Sequence, residues 1–324
     1  MSDPIVDNKA RRGWIRAVVA WAGTIALLVY LAFTTNLEAA WKAYLMADQG
    51  LFLGSLLIVN MAVYLVDSGT VTMLLRKAGF RVRFGEFVRI KGASYLMNVL
   101  NYNLALAMMA ALVSRRSDRG MAAAGSPFIL LNFIDLSALS ILVLVGLAAG
   151  AVPFENDTAM LAVVIMAIGG LMGGPTLCLL SRLKATFLGR FAQHEIMSAF
   201  RMLDFKDYLL MNLLRVGFVS LYAVMAWFFM HAFRFDIPFS ELLVYQPILG
   251  LIVILPISVS GLGSTQVVMR QFFVSYAPPG IDPVAAIDAY STATIVAVLL
   301  MRVVIGLLCM PYVSKALKAR GDQA

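Results

Sequence analysis

The chain has 324 residues, of which 61% are hydrophobic and only 14% are charged, whereas about 25% of residues are charged in soluble domains. Two cysteines and two histidines are too few for a disulfide framework or a metal motif, so neither a metal nor another cofactor is expected. The net charge of +8 lies in an apolar chain, where it indicates contact with anionic lipid head groups rather than with nucleic acid.

Six apolar runs approach the ~20 residues that a membrane-spanning helix needs, and none shows the alternating pattern of a β-barrel. They predict an all-α, polytopic membrane protein. The spanning helices are expected at about 14–34, 51–75, 127–150, 158–180, 207–232 and 284–313. Two further apolar segments, 93–113 and 239–276, are interrupted by polar residues. An apolar stripe within 182–206 predicts a helix lying in the membrane interface.

The basic residues are distributed unevenly. All but five of the 26 lysines and arginines lie near the N-terminus, in the loops 76–91, 115–119 and 182–206, or in the tail 314–324. Because Lys and Arg accumulate in cytoplasmic loops, the segment 1–13 and the tail 314–324 are both expected in the cytoplasm of a bacterial-type inner membrane. The first apolar run follows basic residues and has no clear cleavage site, which favours an uncleaved helix over a signal peptide.

Segment 93–113 is flanked by basic loops on both sides. A single crossing would place one basic cluster outside the cell, so the pattern favours a re-entrant hairpin that enters and leaves on the cytoplasmic side. Its tip is expected at Asn98, Asn101 and Asn103, whose amides suit a protein-lined or water-lined site better than lipid.

Segment 239–276 has the opposite flanks, which are poor in basic residues and carry acids, so it is predicted to enter and leave from outside. Within it, the stretch LPISVSGLGSTQ (Leu255–Gln266) changes from apolar to polar inside a hydrophobic region. Pro256 removes a backbone donor, and Gly261 and Gly263 permit sharp turning. The pattern indicates the tip of a broken helix inside the membrane.

Together these segments divide the chain into two membrane repeats, 14–150 and 151–313, each with three spanning helices and one re-entrant hairpin. Their predicted orientations are opposite. Inverted repeats with broken helices in matching positions are typical of secondary transporters, whose binding site lies where the hairpins meet.

Charged side chains inside spanning helices are functional candidates, because they are costly in a bilayer. Asp67, Asp135, Arg215 and Arg302 are expected at similar depth, about 12–15 Å from the cytoplasmic face at ~1.5 Å per residue. They could form structural ion pairs between the repeats, or an arginine could be released to hold a lipid phosphate. Arg270 has no acid near it in sequence, and it could bind phosphate or reach towards a membrane surface.

Polar residues of the two hairpin tips form a second set of candidates. They could line a track for a polar head group, or they could cap the broken helices. In the second hairpin the set is Ser258, Ser260, Gly261, Gly263, Ser264, Thr265 and Gln266, and in the first it is Asn98, Asn101 and Asn103. Asn132 is expected to form a hydrogen bond between helices.

The motif LPISVSGLGSTQ resembles the signature of the lysylphosphatidylglycerol synthase transmembrane-region family, also described as flippase-like integral membrane proteins. Leu255, Pro256, Gly261, Leu262 and Gly263 fit that signature, whereas Thr265 and Gln266 stand where the family has a charged pair ending in Glu. Asn98 is similar to the family's first motif, but the Pro, Gly and Arg that usually follow are absent. The resemblance implies a stand-alone member without the soluble synthase domain, which moves a polar-headed lipid between leaflets.

The leading hypothesis is therefore a secondary lipid transporter, or flippase, for an anionic or glycosylated lipid, with no enzymatic step. One alternative is a proton-coupled or ion-coupled transporter of a small solute, with Asp67 and Asp135 as the coupling groups. The other is a non-transporting membrane partner of a lipid-synthesis enzyme or glycosyltransferase. An enzyme is not expected, since no cluster of His, Asp and Glu lies at one membrane surface.

Overall fold

The structure, a computed structural model, describes residues 37–117, 119–149, 157–182, 194–254 and 264–321. Several predicted features lie outside these residues. They are the first helix at 14–34, the tip residues Ser258, Ser260, Gly261 and Gly263, and the first part of the connector's apolar stripe, with Leu188 and Ala192.

All regular secondary structure in the described part of the chain is helical, with eleven α-helices and two short 3₁₀ turns. The helices are α1 (Leu37–Met46), α2 (Gln49–Lys77), α3 (Phe84–Leu100), α4 (Tyr102–Ser114), α5 (Met121–Ala148), α6 (Asp157–Arg182), α7 (Ser198–Met202), α8 (Phe205–Ala232), α9 (Phe239–Ile254), α10 (Ser264–Phe273) and α11 (Pro283–Gly321). Five of them, α2, α5, α6, α8 and α11, are long and apolar enough to cross a membrane, and they match five of the six predicted spans.

Helix α2 shows how local chemistry sets the ends of a span. The Asp48 side chain accepts a hydrogen bond from the Leu51 backbone N–H at 2.9 Å, which satisfies a donor that the first turn leaves unpaired. The helix ends at Lys77, and Gly79 follows with a φ of 83°, a left-handed conformation that favours glycine. Basic residues Arg76 and Lys77 occupy the last turn, where the helix dipole favours positive charge.

The first interrupted segment forms a pair of packed helices, α3 and α4, that break at Asn101. Asn101 is extended, and its side chain accepts a hydrogen bond from the Asn103 backbone N–H at 2.8 Å. The hairpin is longer than predicted, because α3 begins at Phe84 rather than near residue 93. Phe87 and Ile90 are fully buried, so this part of the basic loop is an amphipathic helix that packs into the core.

The second interrupted segment also forms two helices in contact, α9 and α10, on either side of residues 255–263. Helix α1, in contrast, was not predicted; it packs against α11 and exposes Trp41 and Leu45. The described end of the 182–206 connector is not a surface helix. Ala199 and Leu203 are buried, and the Ala199 backbone N–H donates to Ser126 Oγ of α5 at 2.9 Å.

The long helices pack in matched pairs. Helix α2 lies against α8, α3 lies against α11, and α9 lies against α5. In both of the last two pairs, glycines on each helix allow a close approach. A Cβ added to Gly92 of α3 or Gly306 of α11 would overlap a side chain of the other helix, and the same holds for Gly250 of α9 and Gly146 of α5.

Candidate functional site

Four charged side chains meet among α2, α3, α5 and α8 in the middle of the bundle. Lys91 pairs with Asp67, Asp67 pairs with Arg215, and Arg215 pairs with Asp135. We call this alternating series of two bases and two acids the charge chain. It contains three of the four residues predicted at similar depth, and it joins four helices through ion pairs.

Arg215 is the best buried member of the charge chain, with only 3% of its side chain exposed. Its Nη1 donates to Asp67 Oδ1 at 2.5 Å and to Thr70 Oγ1 at 3.2 Å, while its Nε donates to Asp135 Oδ1. The guanidinium also lies 3.8 Å from the centre of the Phe218 ring, one turn along α8. Thus most of the arginine's hydrogen-bonding capacity is used by groups on neighbouring helices.

Lys91 was not predicted as a site residue, because it falls in the basic loop expected at 76–91. In the structure it lies two turns into α3 and is buried, with its ammonium on Asp67. A usable signal was present, because Phe87, Ile90, Lys91 and Ser94 follow helical spacing and no proline lies among them. Reading the apolar face of that segment as helix would have placed Lys91 inside the bundle.

Arg302 does not join the charge chain, although its depth suggested that it would. Its guanidinium lies 5.9 Å from the centre of the Tyr95 ring. Tyr95 follows Lys91 by one turn of α3, so Arg302 faces α3 one turn away from the charge chain. Within the described residues no acid comes within ion-pair distance of Arg302.

Arg270 has an acidic partner that the sequence reading did not anticipate. Its Nε donates to Asp288 Oδ1 at 2.9 Å and its Nη2 donates to Asp288 Oδ2 at 2.6 Å, which is a two-pronged arginine–carboxylate pair. Asp288, one of the acids counted in the flanks of segment 239–276, lies in the second turn of α11 and is buried. Since α10 carries no acid of its own, only the tertiary fold brings this partner to Arg270.

Gln266 lies one turn before Arg270 on α10 and faces the same stretch of α11. Its Nε2 donates to Ser291 Oγ at 3.5 Å, and only 8% of the residue is exposed. Its Oε1 is buried and has no hydrogen-bond partner, as is also true of Thr294 Oγ1 on α11. Buried polar atoms without partners are uncommon in folded proteins, and they indicate groups available to a ligand or water.

The three asparagines at the tip of the first hairpin are not buried together in one site. Asn98 is half-buried, while Asn101 and Asn103 are exposed. Next to them, the Tyr102 hydroxyl donates to Asn132 Oδ1 at 3.0 Å and so links α4 to α5, a helix-joining role like the one expected for Asn132. In the second hairpin, Ser264 begins α10 and Thr265 is half-buried in its first turn.

A cavity of about 1050 Å³ lies between α1, α2 and α11. Its wall is apolar over most of its length, and Gln266, Asp288 and Thr292 are its polar lining residues. No group of three His, Cys, Asp or Glu side chains within the described ranges could hold a metal ion. The site therefore offers ion pairs, unpaired amide and hydroxyl groups, and apolar surface.

The apolar spans and the charges buried between them define a multi-pass helical membrane protein. Comparison with known families gives a narrower assignment. Residues 14–309 match the family described as "Lysylphosphatidylglycerol synthase TM region", and the chain belongs to that family. None of the curated proteins compared with the chain matches it.

Proposed function

We propose that this protein is a secondary lipid transporter, or flippase, that moves a polar-headed anionic or glycosylated lipid between the leaflets of an inner membrane. The head group would cross between the two hairpins while the acyl chains stay in the bilayer. Family membership supports a membrane role. The proposal adds that the protein moves a lipid from one leaflet to the other, and it adds the type of lipid. No bond of the lipid needs to be made or broken.

An inverted-repeat architecture is part of the proposal, and the helix packing supports it. If the two halves are exchanged, α3 corresponds to α9 and α11 corresponds to α5. The contact between α3 and α11 then corresponds to the contact between α9 and α5, and both contacts are present with a glycine on each helix. The same exchange maps the α4–α5 contact onto the α10–α11 contact, and both are present as well. Re-entrant hairpins and cytoplasmic termini belong to the same proposal.

The observation that carries the proposal is the charge chain, because it holds the two halves together through bonds that can be exchanged. Lys91, Asp67 and Asp135 belong to the first half and Arg215 belongs to the second. A rocking motion between the halves would have to break or exchange the contacts of Arg215. An ion-pair network of this kind can stabilise each of two arrangements, which alternating access requires.

Arg302 is the proposed head-group ligand. It lies against Tyr95, one turn along α3 from Lys91 of the charge chain, and within the described residues no acid is within ion-pair distance of it. A guanidinium can form two parallel hydrogen bonds to a phosphate, and an aromatic ring such as Tyr95 fixes its orientation. The lipid phosphate would then complete a site that the protein leaves with one excess positive charge.

The test is a lipid-flipping assay in proteoliposomes with fluorescent anionic and glycosylated lipids. Arg302→Gln is expected to reduce flipping of the phosphate-bearing lipids at least tenfold, on the scale of a lost charge-assisted hydrogen bond. Arg302→Lys should retain part of the activity, and Arg81→Gln, which changes an exposed loop arginine, should retain all of it. Wild-type protein that flips none of these lipids would overturn the proposal.

A second candidate function follows from the two buried acids. If Asp67 and Asp135 exchange protons or bind a cation, the protein would be a coupled transporter of a small water-soluble solute. Proton-dependent uptake of such a solute that is lost in Asp67→Asn, without lipid flipping, would favour it. Copurification with a lipid-synthesis enzyme or a glycosyltransferase, without any transport, would favour the partner role instead.

A further inference from the structure

The cavity between α1, α2 and α11 has the surface expected of a site for a lipid chain. Much of its wall consists of apolar side chains that are more than a third exposed, among them Leu53 and Leu57 of α2 and Leu300 and Leu308 of α11. Along α11 the lining runs from Asp288 past Thr292 to Leu308. The stretch from Thr292 to Leu308 measures about 24 Å at ~1.5 Å per residue. The hydrocarbon layer of one leaflet is about 15 Å thick, so the apolar lining is long enough to hold an acyl chain of one leaflet along its length.

The polar end of the same cavity is rich in hydrogen-bond acceptors. Gln266 is more than nine-tenths buried and lines the cavity, and its Oε1 has no partner. Beside it lies the Asp288 carboxylate, which also lines the cavity. The charge of that carboxylate is balanced by Arg270 through two hydrogen bonds. The positive group is therefore neutralised by its own acid, whereas the covered amide oxygen of Gln266 has no partner and meets a ligand once the side chain turns towards the cavity.

The unpaired acceptor, Gln266 Oε1, determines which head groups can bind at this end of the cavity. A group with N–H or O–H donors can satisfy Gln266 Oε1, whereas a group without donors leaves the amide oxygen unsatisfied at a cost. A ligand that fits both ends of the cavity is an amphiphile with a long apolar chain and a donor-bearing head.

We infer that this cavity is a lipid-binding site, in which the acyl chain lies along α2 and α11 and a head group with N–H or O–H donors hydrogen-bonds to Gln266. The inference rests on the proposed transport function and assigns it an entry site on the lipid-facing side of α2 and α11. Head groups with an amine or with sugar hydroxyls fit this site. A quaternary ammonium head, which has no N–H, does not.

The test uses two photoactivatable probes with the same diazirine-bearing acyl chains. One has a phosphatidylethanolamine head, which donates N–H bonds, and the other has a phosphatidylcholine head, which does not. Each probe is incorporated into phosphatidylcholine vesicles that contain the full-length protein, and labelled peptides are mapped. Labelling of α2 and α11 at the cavity wall is expected, with the ethanolamine probe preferred about fivefold, the scale of one buried hydrogen bond.

Variants separate recognition of the head group from general binding of the chain. Gln266→Leu should abolish the preference between the two probes while apolar labelling persists, and Gln266→Glu, which keeps an acceptor, should retain or increase the preference. Gln271→Leu is the matched control, because Gln271 is exposed on the same helix and is not part of the cavity wall. Equal labelling by both probes in the wild type would overturn the donor recognition.

Two other occupants would overturn the lipid site. Disulfide crosslinks from Leu57→Cys or Val296→Cys to cysteines placed in the predicted helix 14–34, or to a second copy of the chain, would show that protein fills the cavity. The flipping assay is run on the same samples. Flipping without labelling of the cavity would refute this inference alone, and labelling without flipping would refute the transport function alone.

Discussion

Replacing Asp67 with asparagine would remove the carboxylate that bridges two buried cations. In the wild type, Asp67 accepts bonds from both Lys91 and Arg215, whose side chains are 9% and 3% exposed. After the change, Asp135 alone would remain to balance two positive charges. Breaking a buried ion pair on one side typically costs about 3–5 kcal/mol, because a charge is left uncompensated. We expect Asp67→Asn to destabilise the protein by about that amount.

The measurement is the free energy of unfolding in mixed detergent micelles, followed by the loss of helical circular dichroism as the denaturing detergent is increased. The double variant Asp67→Asn/Lys91→Gln removes one charge of each sign and should recover at least half of the loss. With the single variant Lys91→Gln measured as well, the four proteins form a double-mutant cycle that gives the coupling energy between the two residues.

The control is Glu38→Gln. Glu38 forms an ion pair with Lys42 on α1 that is largely exposed, and no measurable loss is expected there. If Asp67→Asn cost no more than Glu38→Gln, or if adding Lys91→Gln made the protein less stable still, the charge chain would not be the coupled unit described above.

Two further predictions concern the contacts on α11. Gly306→Val should disrupt the close packing of α3 on α11 and lower the free energy of unfolding by about 1–3 kcal/mol, whereas Gly217→Val, at a position with open space around it, should not lower it through a steric clash. Arg270→Met should leave the Asp288 carboxylate without its bidentate partner at a cost of about 3–5 kcal/mol. Arg270→Met/Asp288→Leu should be more stable than Arg270→Met, and thermal unfolding in detergent would test both predictions.

The spanning helices could be predicted from the sequence because the bilayer imposes one simple rule on length and hydropathy. The contact between Asp67, Asp135 and Arg215 could be predicted from their depth alone, because buried charges at the same distance from the cytoplasmic face of the membrane can pair only with one another. Depth could not exclude Arg302, because whether two residues at one level touch depends on how the helices are rotated and packed.

The wrong predictions for charged residues have one cause: a charged side chain was taken to be exposed. Lys91 was assigned to a loop and Asp288 to the acidic flank of segment 239–276, yet each is buried in a helix opposite a charge contributed by another element. The partner of a buried charge lies far away in sequence, 24 residues for Lys91 and 18 residues for Arg270. Only tertiary packing shows which basic residues of a membrane protein lie inside it.

The composition of the charge chain has a consequence for how the membrane potential acts on this protein. Lys91 and Arg215 carry two positive charges, and Asp67 and Asp135 carry two negative ones. Moving one elementary charge through the field is worth about 2.3 kcal/mol per 100 mV. A rearrangement that keeps these four groups together moves no net charge, so the charge chain itself contributes little to voltage dependence. Any voltage dependence of transport would then report mainly the charges of the cargo and of Arg302.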